Sequence, residues 1–201
     1  MDPITTDDLR AVAPKTNHLR LEAFLGPLNT TMEEFDIDTP GRQAAFLAQL
    51  GHESNGFLWV REIWGPTPAQ RAYEPPSRKA AVLGNLYEGD GFRYRGRGLI
   101  QITGRGNYAA CGQALNVPLE DEPELLEEPA LATRSAGWFW SVGAGLRLSQ
   151  AAKDYGVPVG VNLNDLADLG EFKAITYAIN GGLNGEDDRI ARWEAAKEEL
   201  A

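Results

Sequence analysis

Apolar residues fall at helical spacing most clearly in TPGRQAAFLAQLGHES, where Phe46 and Leu50 stand four apart and Glu53 lies three beyond them. All three therefore project from nearly one face of a helix. Thr39 places a capping residue directly before Pro40, so a helix is predicted to start there and run to about Ser54. Glu53 then extends a buried stripe. Residues of about 5–30 carry two shorter helical patterns, with Thr6 the expected cap for DDLRAVA, and about 1–40 reads as a helical packing segment. From Gly65 to Gly98 the chain is rich in Gly and Pro and is predicted to be loop with one short helix. LIQIT, Leu99 to Thr103, is bounded by glycines and has the β-branched content of a short strand.

Helical periodicity returns in PALATRSAGWFWSVGAGLRLSQAAKDY, DLADLGEFKAITYAI and GEDDRIARWEAAKEEL. Between the last two, INGGLNG is a break in which Asn180, Gly181 and Gly182 suit a turn with positive φ. Asp187 and Asp188 complement the dipole of the final helix. The pattern predicts a mainly α chain with a small β element, forming a single domain over 1–201 with no separate wall-binding domain.

Composition narrows the function. Nineteen Lys and Arg against 29 Asp and Glu give a net charge of −10, which argues against nucleic acid as a partner. The densest basic group is Arg93, Arg95, Arg97 and Arg105 in FRYRGRGLIQITGRGNY. The one cysteine, Cys111, reads as a small buried apolar residue and cannot form an internal disulfide. His18 and His52 have no metal-ligand spacing, so no metal and no cofactor are expected. The acidic MDPITTDDLRAVAPK lacks the form of a secretion signal, and no segment has the length of a membrane span.

A carboxylate on the core side of a helix is costly unless it is paired, hydrogen-bonded or protonated, and that cost singles out Glu53. Desolvation favours the protonated carboxyl, the form that donates to a leaving oxygen. Glu62 lies nine residues on, beside Arg61; Glu74 and Asp90 are further candidates for the partner role. Two carboxylates across a cleft suit glycoside hydrolysis, and an inverting enzyme needs them about 6.5–9.5 Å apart to admit water. Trp59, Trp64, Tyr73, Tyr94, Gln101, Asn107 and Tyr108 supply the aromatic and amide groups of a sugar cleft. His52 reads either as a helix-face histidine or as a group orienting Glu53. GRGLIQITGRG lacks the Gly-Lys-Ser/Thr ending of a phosphate loop, and no helix is expected to open at its last glycine. Ser54 has no partners that would make it a nucleophile. Glu53→Gln removes a charge from a buried stripe and is expected to leave the melting temperature equal or higher.

GHES followed by REIW, then YRGRGLIQITGRGNY and AITYAINGGLNGEDDR, resembles glycoside hydrolase family 19, from about Arg42 to Trp193. The LNTTMEEFDIDTPGRQAAFLAQLGHES opening is similar to its bacteriophage and prophage endolysin branch. The resemblance implies a lysozyme-like α+β fold with two helical lobes around a substrate cleft, and inversion by single displacement. It implies Glu53 as general acid, Glu62 as general base and Thr103 holding the attacking water. The plant spacing of the second carboxylate points closer to Glu74, the alternative base. His52, Tyr94, Gln101, Asn107, Asn180 and Arg189 are implied to bind substrate.

The function expected on this basis is an endolysin, a monomeric muramidase cutting the glycan strand of peptidoglycan to lyse the host. It would wait in the host cytoplasm, without membrane insertion, until a separate permeabilising protein lets it reach the wall. The alternatives are a chitinase acting on N-acetylglucosamine polymers and an inactive carbohydrate-binding or tail-associated module.

Overall fold

The structure is a computed structural model describing residues 2–144 and 148–201. Its first element, α1 (Thr6–Val12), is capped by Thr5 rather than the expected Thr6. The Thr5 hydroxyl accepts from the Asp8 N–H while the Asp8 carboxylate accepts from the Thr5 N–H, an exchange that needs the three-residue spacing only Thr5 has. The helices α2 (His18–Glu34) and α3 (Pro40–Glu53) follow, and Thr39 caps α3 as anticipated.

Helix α3 is not a one-faced amphipathic helix. Every residue from Gln43 to Gly51 is buried, because other helices enclose it. The chief of these is α12 (Glu186–Glu199), against which α1 also packs. Phe46 meets Trp140 edge-on with ring centroids 5.2 Å apart, and the Trp140 indole N–H donates to Asn164 Oδ1 at 2.8 Å. The two buried glutamines are bonded as well: Gln43 donates to the Asp2 carbonyl and Gln49 to the Thr176 hydroxyl. These bonds offset the cost of placing amides in a core.

The stretch between Gly65 and Gly98 holds three short helices instead of one: α4 (Pro68–Arg71), α5 (Arg78–Leu83) and α6 (Asp90–Arg93). LIQIT does not form a strand. Arg97 makes isolated antiparallel bridges to Arg61 and Ile102, and Gln101 lies at φ 57, which turns the chain before a ladder can extend. A helix, α7 (Arg105–Leu115), does open at the end of the glycine-rich segment, contrary to expectation. The Asn85 side chain occupies its first N–H, by accepting from Arg105.

Helix α8 (Pro129–Trp138) packs on α2 and widens into a π turn over Phe139–Gly143. Gly145, Leu146 and Arg147, which the sequence places in the same helical run, lie outside the described residues. The helices α9 (Gln150–Tyr155), α10 (Leu163–Asp168) and α11 (Phe172–Asn180) precede α12. Gly170, at φ +71, separates α10 from α11, which the pattern had joined.

Apolar side chains gather in two clusters. The larger surrounds α3; the smaller contains Tyr94, Ile102, Tyr108, Cys111, Leu115, Leu119, Leu126 and Trp138. Phe35, Ile100 and Phe139 pack against both. Burial of Cys111 pushes its thiol up to about 12, as befits an apolar residue. The result is a mainly helical, lysozyme-like fold.

The α2–α8 contact is close enough to test. A Cβ on Gly137 would overlap the Phe35 ring and the Thr31 methyl, whereas one on Gly41 meets no heavy atom within 4 Å. Gly137→Val is expected to cost about 1–3 kcal/mol in urea unfolding, and Gly41→Ala to leave stability equal or higher. Coincident midpoints for the Gly137→Val and parent proteins would disprove the close packing.

Candidate active site

Glu53 is the last residue of α3, where the helix emerges from the core, and its side chain keeps 21% exposure. Its Oε1 accepts from Arg189 Nη2 at 2.5 Å. Arg189 itself is buried; it also donates through Nη1 to Gln49 Oε1 and through Nε to the Asn184 carbonyl at 3.1 Å. Oε2 of Glu53 has no protein donor among the described residues and is the atom open to a ligand.

His52 is tied to the same helix: its Nδ1 lies 2.7 Å from Asp188 Oδ2, and Asp188 also accepts from Arg192. The Arg192 hydrogen bonds, then the His52 contact, outweigh burial and hold the Asp188 carboxyl below its ordinary range. Gly185, at φ +73, precedes α12 where any Cβ would strike the His52 ring. The backbone there requires glycine on both counts.

Glu62 belongs to a different network. Its Oε1 accepts from Gln70 Nε2 at 3.0 Å and from the Tyr73 hydroxyl at 3.4 Å, and its Oε2 from the Gly96 N–H at 3.1 Å. All three donors are neutral. Burial, followed by the Glu62 charge, raises the Tyr73 phenol, so it stays a donor. Gln70 is fixed in turn, donating to the Ile63 carbonyl and accepting from the Gly65 and Thr67 N–H groups. Sequence reasoning passed over Gln70, although Thr67-Pro-Ala-Gln70 carries the spacing of a capping box, which it forms. It also passed over Gln49.

Glu62 lines a cavity of about 510 Å³ together with Trp59, Arg61, Trp64, Phe92, Arg95 and Glu127. Leu58 borders this cavity and a second, of about 490 Å³, which reaches Asn55, Asp188 and Arg192. Gln101 and Thr103 gather at Gly96, the residue that donates to Glu62. Thr103 donates to the Gln101 carbonyl and accepts, through its own carbonyl, from Asn107 Nδ2. Asn180 ends α11 beside a cavity of about 290 Å³, and its buried Nδ2 has no acceptor among the described residues, a donor that a ligand oxygen would satisfy.

Several expected roles do not suit the geometry. Tyr94 is 1% exposed, packs on Tyr108 and donates to the Glu120 carbonyl, so it belongs to the smaller core and not to a sugar-facing wall. Glu74 accepts from the N–H groups of Gly89 and Phe92, which makes it a brace for α6. Glu53→Gln should not preserve stability, because the charge it removes is the ion-pair partner of a buried guanidinium. No group of His, Cys, Asp and Glu among the described residues could hold a metal ion.

A family profile described as Chitinase class I matches residues 20–195. A glycosyl hydrolase family 19 domain-containing protein of Haemophilus influenzae is 36% identical, with 77% of this chain and 78% of the relative aligned. Endochitinase 2 of Gossypium hirsutum is 34% identical over 70% of this chain, which spans only 48% of that protein. Among solved structures, a bacterial family 19 chitinase superposes with TM-score 0.71 at 22% identity, covering 98% of this chain and 95% of its own. Chitinase C of Streptomyces griseus gives TM-score 0.70 at 22% identity, covering 98% and 76%.

Asp90, considered as a second carboxylate, is instead structural. Burial favours its neutral form, but paired hydrogen bonds from Arg105 at 2.9 and 2.7 Å, with the Leu86 and Tyr87 N–H groups, prevail and hold it below the ordinary carboxylate range. A depressed folded pKa means that the stabilisation is present above the unfolded value of about 3.9 and lost as pH falls through the lower folded value. Asp90→Asn is therefore expected to cost about 1–3 kcal/mol near neutral pH. The gap from the parent should shrink in acid, as pH falls below the unfolded value of about 3.9 and through the lower folded one. An equal gap near neutral pH and in acid in denaturant titrations would rule out the ionic contribution.

Proposed function

Because the chain belongs to glycoside hydrolase family 19, we propose that it is an endolysin muramidase that hydrolyses the β-1,4-glycan strand of peptidoglycan with inversion. The observation that carries the catalytic reading is the contrast between its two half-buried carboxylates, Glu53 on one buried arginine and Glu62 on three neutral donors. Glu53 is the general acid: its Oε2 donates a proton to the leaving glycosidic oxygen. Glu62 is the general base: it takes a proton from a water that attacks the anomeric carbon from the opposite face. Thr103, which lies beside Gly96, helps orient that water in this reading. Asn180, whose Nδ2 has no acceptor among the described residues, together with Gln101, Asn107 and His52, supplies contacts to the N-acetyl and hydroxyl groups. Arg189 acts on substrate only through Glu53.

The endochitinase relatives favour a second reading, in which a neutral N-acetylglucosamine polymer occupies the same cleft. Under the first reading the enzyme is a monomer that remains in the host cytoplasm until a separate membrane-permeabilising protein opens the way to the wall. No helix among the described residues is long and apolar enough to cross a membrane.

Incubation with purified peptidoglycan is expected to release new reducing ends, and mass analysis should show cleavage at the N-acetylmuramic acid to N-acetylglucosamine linkage. Glu53→Gln and Glu62→Gln should each lose about 10²–10⁴-fold in kcat. Glu53→Gln should also lower stability by about 1–3 kcal/mol. Cleavage of chitin oligomers with peptidoglycan untouched would overturn the muramidase reading in favour of the chitinase one. Retention of more than about a tenth of the activity in Glu53→Gln would remove it as the acid.

A further inference from the structure

The basic segment around Arg93 to Arg105 suggests by composition a uniformly cationic wall. The structure sorts it. Arg93 spends its guanidinium on the Glu120 and Asp121 carbonyls, Arg105 on Asp90, and Arg97 on Glu127 at 2.8 Å, with Glu124 at 3.6 Å. Arg95 has no ion pair among the described residues.

That isolation is unusual for its burial. Among the described residues the buried arginines are Arg95, Arg97 and Arg189, at 9%, 1% and 1% exposure, and the latter two each hold a carboxylate. Arg95 donates through Nη1 to the Phe92 carbonyl at 2.8 Å and stacks 4.2 Å over the Phe92 ring. Its other nitrogens make no hydrogen bond among the described residues, and Arg95 lines the same cavity as Glu62. Burial, then Arg97, then Arg61, weaken its hold on its proton; Glu127, which opposes them, is already shared between Arg61 and Arg97. A buried cation among cations is favoured once an anion reaches it.

Building on the glycan-hydrolase reading, we infer that Arg95 is a specificity-determining residue whose free guanidinium face receives a carboxylate borne by a substituent of the glycan, beside Glu62. An N-acetylglucosamine polymer has no such group. A muramyl strand has one from either of two sources: the lactyl carboxylate of a strand stripped of peptide, or the acidic groups of an attached stem peptide. The shared chemistry is a carboxylate within reach of a planar donor fork.

The test is equilibrium binding to the full chain carrying Glu53→Gln, which suppresses turnover, with four probes: peptide-free muramyl tetrasaccharide, its stem-peptide form, and each of these after amidation of its carboxyls. Binding to at least one carboxylate form is expected to be about tenfold tighter than to its amidated counterpart. That ratio should fall towards one when Arg95→Gln is added and be partly kept with Arg95→Lys. Which form shows the ratio identifies the source. A ratio near one before Arg95 is changed, or one that survives Arg95→Gln, overturns the inference. Digestion by the unmodified enzyme is read separately: strands bound with the Arg95-dependent ratio but never cut would refute the proposed hydrolysis and leave the carboxylate site standing.

Discussion

The buried guanidinium of Arg189 is the constraint around which the larger half of the molecule is arranged. A cation at 1% exposure is tolerable only with its donors satisfied, and those of Arg189 go to Gln49, the Asn184 carbonyl and Glu53. Those bonds fix the first turn of α12 against the last turn of α3. They also dictate the neighbourhood: Gly185 must lack a side chain because His52 occupies the space, and Asp188 then meets His52 and Arg192. Glu53 therefore owes its position to the fold's own electrostatics. A carboxylate held this way keeps one oxygen committed to the guanidinium and one available to a ligand.

Glu62 has the opposite support. Its segment is irregular, and what fixes it is Gln70, locked by a four-residue capping box, together with Tyr73 and the Gly96 N–H. Neutral donors orient a carboxylate without pairing it to a fixed cation, which suits a group that must take up a proton during the reaction. Two carboxylates with such different partners are predisposed to different roles. The helix-anchored one is rigid; the loop-anchored one depends on side chains that a single amide substitution would disturb.

Much of this was legible in the chain, and the exceptions have physical causes. Thr39-Pro40 and the Phe46, Leu50, Glu53 spacing identified α3 and its terminal carboxylate, because caps and periodicity are local signals. Arg189 could be suspected only by resemblance, since its partners Gln49 and Glu53 are 140 and 136 residues away. LIQIT failed as a strand because β propensity describes a residue's fit to a sheet, and among the described residues there is no neighbouring strand for it to join. Tyr94 failed as a sugar platform because aromatic residues fill cores as readily as clefts, and composition cannot tell the two apart. The arginine cluster was visible, but its division into paired and unpaired members is tertiary information.

That division bears on the proposed muramidase reading, in which a chain of net charge −10 meets an anionic wall. Net charge governs long-range encounter, and at physiological salt it is screened beyond about 8 Å. Inside a cleft the local balance decides. Of the four arginines in the basic segment, Arg97 and Arg105 are neutralised by carboxylates and Arg93 by carbonyl dipoles, so counting basic residues overstates the positive field. The same accounting applies to Glu74, whose plant-like spacing made it a rival base. With both oxygens on the Gly89 and Phe92 N–H groups, and Gly91 lacking the side chain that would displace it, Glu74 stabilises the turn that delivers Asp90 to Arg105. Its two oxygens are spent on holding that turn, and what separates the two carboxylates is access: Glu62, not Glu74, lines the cavity of about 510 Å³, large enough for a sugar ring.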